Sequence, residues 1–93
     1  MLKVVLKGYI LASDSDLAIV KKELENHIQL TRQEEGCLVF EVSQDNKNIN
    51  QFNVYEEFVS KDAFKLHQQR LSGTEWGRVS SRLEKHYKTN GDN

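Results

Sequence analysis

Residues 26–68, NHIQLTRQEEGCLVFEVSQDNKNINQFNVYEEFVSKDAFKLHQ, decide how this chain folds. In Cys37–Gln44 and again in Gln51–Val59, side chains of opposite character alternate with a period of two. That period marks half-buried strands. The polar run Asp45–Asn50 between them makes the pair an antiparallel hairpin. Before the hairpin, NHIQLTRQEEG closes a helix, with Gly36 expected as its C-terminal glycine. After it, KDAFKLHQQ opens another.

Working outward, Leu17, Val20, Leu24, Ile28 and Thr31 recur at spacings of three and four. This predicts a helix from about Ser15 to Gln33 with one apolar face. Ser13, Asp14 or Ser15 is placed to cap its free N–H groups. Ahead of it, Lys3–Leu11 reads as a strand in which Gly8 leaves a gap on one face, open to a bulge or a close approach. Beyond the hairpin, Ser60 caps a helix over Lys61–Leu71, and Thr74 caps a short one over Glu75–Ser81. Arg82–Thr89 fits a last strand carrying Leu83, Lys85 and Tyr87 on one face, or a helical continuation from Val79. The strand is preferred because it completes the sheet. Residues 90–93 are expected to be disordered.

The order β-α-β-β-α-β is the ferredoxin-like pattern: an α+β domain with an antiparallel four-stranded sheet and both helices on one face. One such domain accounts for residues 1–93, its core at about 2–89. The other sheet face still carries Val5, Tyr9, Val39, Tyr55 and Val59. An apolar face of that size wants a cover, and a second copy of the chain is the simplest. Composition agrees: 93 residues with 38% hydrophobic content make a thin core.

Composition also excludes. Thirteen basic and fourteen acidic residues are mixed along the chain, for a net charge of −1. No basic stripe offers a nucleic-acid surface. One cysteine, Cys37, rules out an internal disulfide or a Cys-based zinc site and reads as a small apolar filler. No apolar run is long enough to span a membrane, so the default compartment is the cytoplasm.

Three polar residues occupy apolar positions: His27 in the first helical stripe, Glu56 between Val54 and Phe58, and His67 in the second helical stripe. All three point to one interior. A lone buried carboxylate must be paired, neutralised or wet. Each imidazole suits a general base or acid near neutral pH, or a core histidine bonded to backbone. Two His and one Glu also suit a metal, but their spacing matches no compact ligand motif and no metal is expected. Trp76, Phe40, Phe52 and Phe64 are placed to wall a cavity for a flat organic molecule, or simply to pack. Tyr55 and Tyr87 are candidate donors to a substrate oxygen.

His27, Thr31-Arg32, Glu35-Gly36-Cys37, Phe40-Glu41-Val42, Tyr55-Glu56 and the Ala63…His67 pair, in this order and spacing, resemble the antibiotic biosynthesis monooxygenase family. The resemblance implies a dimeric α+β barrel with a cavity between helices and sheet in each subunit. It implies oxidation of a small phenolic or quinol by O2 with no cofactor. On that reading His67 or His27 removes a proton, Glu56 balances it, and Trp76, Phe40 and Phe64 hold the ring. A family relative that isomerises a phosphorylated sugar has an Asn-His, a Tyr-Glu and a later His that resemble Asn26-His27, Tyr55-Glu56 and His67. An isomerase of a small carbonyl compound is therefore the rival, with Arg32, Lys65 or Arg70 at a basic mouth. A non-catalytic dimeric ligand-binding module is the third reading. The haem degraders of the family use an Asn on the first strand, where this chain has Lys7 and Tyr9.

Overall fold

The computed structural model describes residues 3–90. Four strands form one antiparallel sheet: β1 (Val4–Leu11), β2 (Cys37–Gln44), β3 (Gln51–Phe58) and β4 (Glu84–Thr89), in spatial order β2-β3-β1-β4. Helices α1 (Leu17–Arg32), α2 (Lys61–Leu71) and the short α3 (Glu75–Ser80) lie on one face. This is the expected ferredoxin-like α+β arrangement, and the last segment is a strand. A strand satisfies its backbone against the open edge of β1, in register Gly8↔Tyr87 and Ile10↔Lys85.

β3 sits between β1 and β2, so its inward side chains are buried from both sides. Phe52, Val54, Glu56 and Phe58 are all buried while their neighbours are not. Glu56 lies opposite Leu6 on one side and Phe40 on the other. Above the sheet, Ile10, Ala12, Val20, Leu24, Phe52, Trp76, Val79 and Leu83 make the core. Ile10, Leu24 and Trp76 of that core also border the cavity that His67 lines.

Local signals hold with three differences. Ser60 Oγ accepts from the Ala63 N–H, and Thr74 Oγ1 accepts from the Gly77 N–H, as helix caps do. At α1 no side chain caps the helix, and a 3-10 turn at Asp14–Asp16 leads into it instead. There Asp14 accepts from the Asn50 side chain across the molecule, at 2.9 Å. Gly36 is not a helix C-cap, because α1 ends at Arg32 with Gln33 as its cap. Its missing side chain lets the chain pass close to α2, where a Cβ would overlap that of Ala63. In β2 the pairing with β3 shifts between Cys37 and Val39. The strand therefore bulges at Leu38, which is 52% exposed rather than sharing the inner face with Phe40.

Gly8 bears out the expected close approach. A Cβ there would overlap the His86 carbonyl oxygen of β4. At the far end of β1, Asn90 Oδ1 accepts from the Val5 N–H, so Asn90 is held. The rest of the segment expected to be disordered, 91–93, lies outside the described residues. No helix among the described residues is long and apolar enough to cross a membrane.

Candidate active site

His27, Glu56 and His67 meet, as the periodicities require. α1 brings in His27, α2 brings in His67, and β3 brings in Glu56 from below; the three are 4%, 2% and 6% exposed. They line a cavity of about 270 Å³ with Leu6, Phe40, Val42, Trp76 and Tyr87 among its other walls. That volume, near the lower end of ligand pockets, fits a single substituted ring.

The two histidines differ in surroundings. His27 stacks on Trp76, ring centroids 5.5 Å apart and planes at 20°, and meets Phe40 edge-on at 5.2 Å. Burial first, then the neighbouring His67 and Arg70, push its pKa down to about 3. It is a neutral aromatic wall at any physiological pH. Thr31 Oγ1 is 3.5 Å from its ring nitrogens.

His67 is wedged between Phe58, at 4.9 Å between ring centroids, and Phe40, at 5.8 Å. Its Nδ1 is 2.9 Å from Glu34 Oε1, and its Nε2 is 3.9 Å from Glu56 Oε1. Burial lowers its pKa and outweighs the opposing pull of Glu34. The contact with Glu34 is thus a hydrogen bond from a neutral ring at neutral pH rather than a full ion pair. Arg70 Nε donates to the other Glu34 oxygen, and Arg70 Nη2 donates to Thr31 Oγ1 at 3.1 Å.

Glu56 is the unsatisfied member. Its Oε1 is buried with no hydrogen-bond partner. Burial chiefly, with the charge of Glu34 adding, raises its pKa to about 8. At neutral pH it is mostly a carboxylic acid and a proton donor. The site therefore sets a neutral acid beside a neutral imidazole, with a 3.9 Å gap between Oε1 and Nε2. An oxygen approaching from the cavity side can reach hydrogen-bond distance of both, about 2.8 Å from each.

Of the other residues named from sequence, Trp76 and Phe40 line the cavity. Phe64 does not; it packs behind His67 and against Phe58, holding His67 in place. Tyr55 lies on the outer face of the sheet, because it neighbours Glu56 on a strand and so points the opposite way. Its hydroxyl donates to Glu57 there. Arg32 also faces away, donating to the Phe40 carbonyl oxygen at 3.0 Å. Lys65 is exposed on α2.

Sequence reasoning missed Glu34 and Lys85 as contributors and named Arg70 and Tyr87 only as candidates. Glu34 stands in the loop after α1, where nothing in its pattern marks it. Arg70 was visible only as one of several candidate mouth cations. Lys85 and Tyr87 arrive from β4 through its register with β1. Lys85 Nζ donates to the Ser80 carbonyl oxygen at the cavity wall, and desolvation lowers its pKa. Burial of the Tyr87 phenol group pushes its pKa up, although part of the ring meets solvent. No group of three His, Cys, Asp or Glu among the described residues is arranged to hold a metal ion.

Solved structures with the same fold are numerous. A candidate antibiotic biosynthesis monooxygenase from Nitrosomonas europaea superposes with a TM-score of 0.78 at 14% identity, over 97% of each chain. Another from Deinococcus radiodurans gives 0.76 at 22% identity, over 97% of this chain and 92% of that one. A conserved protein from Methanosarcina mazei gives 0.77 at 16% identity, over 96% and 91%. At these identities the likeness speaks for the fold alone. No curated protein sequence matches. The sequence model of the antibiotic biosynthesis monooxygenases matches residues 6–78. That span runs from β1 into α3 and contains His27, Glu56 and His67, so the chain belongs to the antibiotic biosynthesis monooxygenase family.

Proposed function

We propose that the chain is a cofactor-independent monooxygenase that oxidises a small phenolic or quinol with O2. The observation that carries this reading is the unpartnered Glu56 Oε1 facing His67 Nε2 across 3.9 Å in an aromatic-walled cavity. A substrate hydroxyl entering that gap gives its hydrogen to Nε2 and accepts one from the Glu56 acid. His67 is the general base and Glu56 the group that steadies the oxygen as it becomes anionic. The electron-rich phenolate then reduces O2. For a hydroquinone the balance is QH2 + O2 giving a hydroxyquinone and H2O. The ring gains one oxygen atom, and the second leaves as water with protons returned from the site. Trp76 and Phe40 hold the ring and keep solvent from the intermediate. His27 serves as part of that wall, a ring that burial keeps neutral.

A second reading rests on the same acid–base pair. A protonated carboxyl group beside a bare imidazole is also the equipment for moving a proton between carbons of a carbonyl compound, which consumes no oxygen. We further propose that two copies pair through the outer sheet face, where Val5, Tyr9, Val39 and Tyr55 are only half-buried.

The test is oxygen uptake by metal-stripped protein against a panel of quinols. Stoichiometric uptake with formation of a hydroxyquinone supports the oxygenase. Quinols left intact, with solvent-hydrogen exchange into a carbonyl substrate, would replace it with the isomerase.

A further inference from the structure

His67 is neutral and fully enclosed, so it carries one N–H, and catalysis depends on which nitrogen holds it. Glu34 decides. Its Oε1 lies 2.9 Å from Nδ1, and an ionised carboxylate only accepts hydrogen bonds. Its Oε2 accepts from Arg70 Nε, whose guanidinium group has only donors to offer. Arg70 is in turn held by the buried Thr31 at 3.1 Å. The loop carrying Glu34 is fixed as well: its N–H donates to the Thr31 carbonyl and its own carbonyl accepts from Cys37, at 3.0 and 3.1 Å. A carboxylate this well held, on a chain segment with no other part in the cavity, is more than a link between the 33–36 loop and α2.

We propose that Glu34, clamped by Arg70, is the positioning residue of the site: it keeps the His67 proton on Nδ1 and leaves Nε2 bare toward Glu56 and the entering hydroxyl. This rests on the reading of His67 as the base. Once His67 takes a proton, the imidazolium is stabilised by the same carboxylate, so Glu34 contributes more to the charged state than to the resting one. The groups facing His67 are Glu34 from the loop, Arg70 from its own helix, Glu56 from β3 and His27 from α1. Glu34 draws its pKa up and Arg70 draws it down, against a larger lowering by burial.

The test is long-range proton–nitrogen NMR of the histidine rings in the whole protein, which needs no turnover. Wild type should show His67 as a single tautomer, protonated on Nδ1. In Glu34→Gln that tautomer should become a mixture, and the His67 titration midpoint should fall by about one unit or more. Loss of fold would move the midpoint up instead, toward the ordinary histidine value. Arg70→Met, which removes the repelling cation and keeps Glu34, should move it up with the far-UV spectrum intact and the His67 tautomer retained. With a turned-over quinol, Glu34→Gln should lower kcat on the order of 100-fold with KM little changed, and Glu34→Asp should restore part of it. An unmoved tautomer and midpoint in Glu34→Gln overturn the proposal, as does a wild-type ring protonated on Nε2. If Glu34→Gln does not fold, an unmoved midpoint in Arg70→Met overturns it. Should the NMR shifts appear while no quinol is oxidised, Glu34 stands as positioning residue and the oxygenase reading falls.

Discussion

At Glu56 the cost of burying a carboxyl group is met by keeping its proton, and that has a measurable sign. Its folded pKa of about 8 lies above the ordinary 4.5. Between those values the folded chain binds the extra proton, so stability from this group is lost as pH rises. His27 runs the other way: its folded pKa of about 3 lies below 6.5, so the unfolded chain binds the extra proton and stability is lost as pH falls below 6.5. From pH 4.5 to 6.5 Glu56 is opposed by His27 and by His67, whose pKa burial also lowers. From pH 6.5 to 8 Glu56 acts alone, and the chain should lose about 2 kcal/mol. Chemical denaturation across that range checks it, and in Glu56→Gln the alkaline loss should disappear. A wild-type curve rising through pH 8 would show that Glu56 is ionised when buried. The two histidines make a second contrast. His67→Ala should lower turnover by roughly 10²–10⁴-fold, the range for a general base. His27→Phe keeps an aromatic on Trp76 and should retain most activity, as initial rates would show.

Among the elements, β4 is the part of the site that the sequence conceals. Its position depends on Gly8, whose hydrogen is all that fits against the His86 carbonyl. Gly8→Ala should push β4 outward, cost about 1–3 kcal/mol by overpacking, and spoil the cavity edge made by Lys85 and Tyr87. Thermal melts and ligand binding measure the two effects separately. The gap at Gly8 could be read from the alternation of Lys3–Leu11, but not that a strand more than seventy residues later would fill it. His27, Glu56 and His67 were legible because each breaks a strong local period. Glu34 breaks none; it lies in a loop, and its meeting with His67 is made only when α2 folds over. Tyr55 could be read as a substrate donor or as part of the outer face, and its place on β3 next to the inward Glu56 settles it on the outer face; Arg32 stands beside a motif residue yet faces away from the cavity. Leu38 left the inner face because a bulge, which no periodicity records, resets the count in β2.

For the whole molecule, the two sheet faces have different work. The inner face packs under helices and holds the cavity. The outer face carries Val5, Tyr9, Val39 and Tyr55 beside charged neighbours, with the Lys3–Glu57 pair at 2.9 Å and Tyr9 stacked on His86 at 4.7 Å. Such a mixed surface matches an interface with an apolar centre and a polar rim. Sedimentation equilibrium should find a dimer, and Tyr9→Glu should weaken it at least about tenfold while the far-UV spectrum is unchanged. A monomeric wild type at micromolar concentration would remove the pairing. The central claim is that His67, and not its equally buried neighbour His27, is the base of a cofactor-free oxidation. The most direct measurement is oxygen uptake with one quinol by metal-stripped wild type, His67→Ala and His27→Phe in parallel. The account predicts uptake in wild type and His27→Phe and almost none in His67→Ala. Uptake in His67→Ala equal to wild type would contradict it.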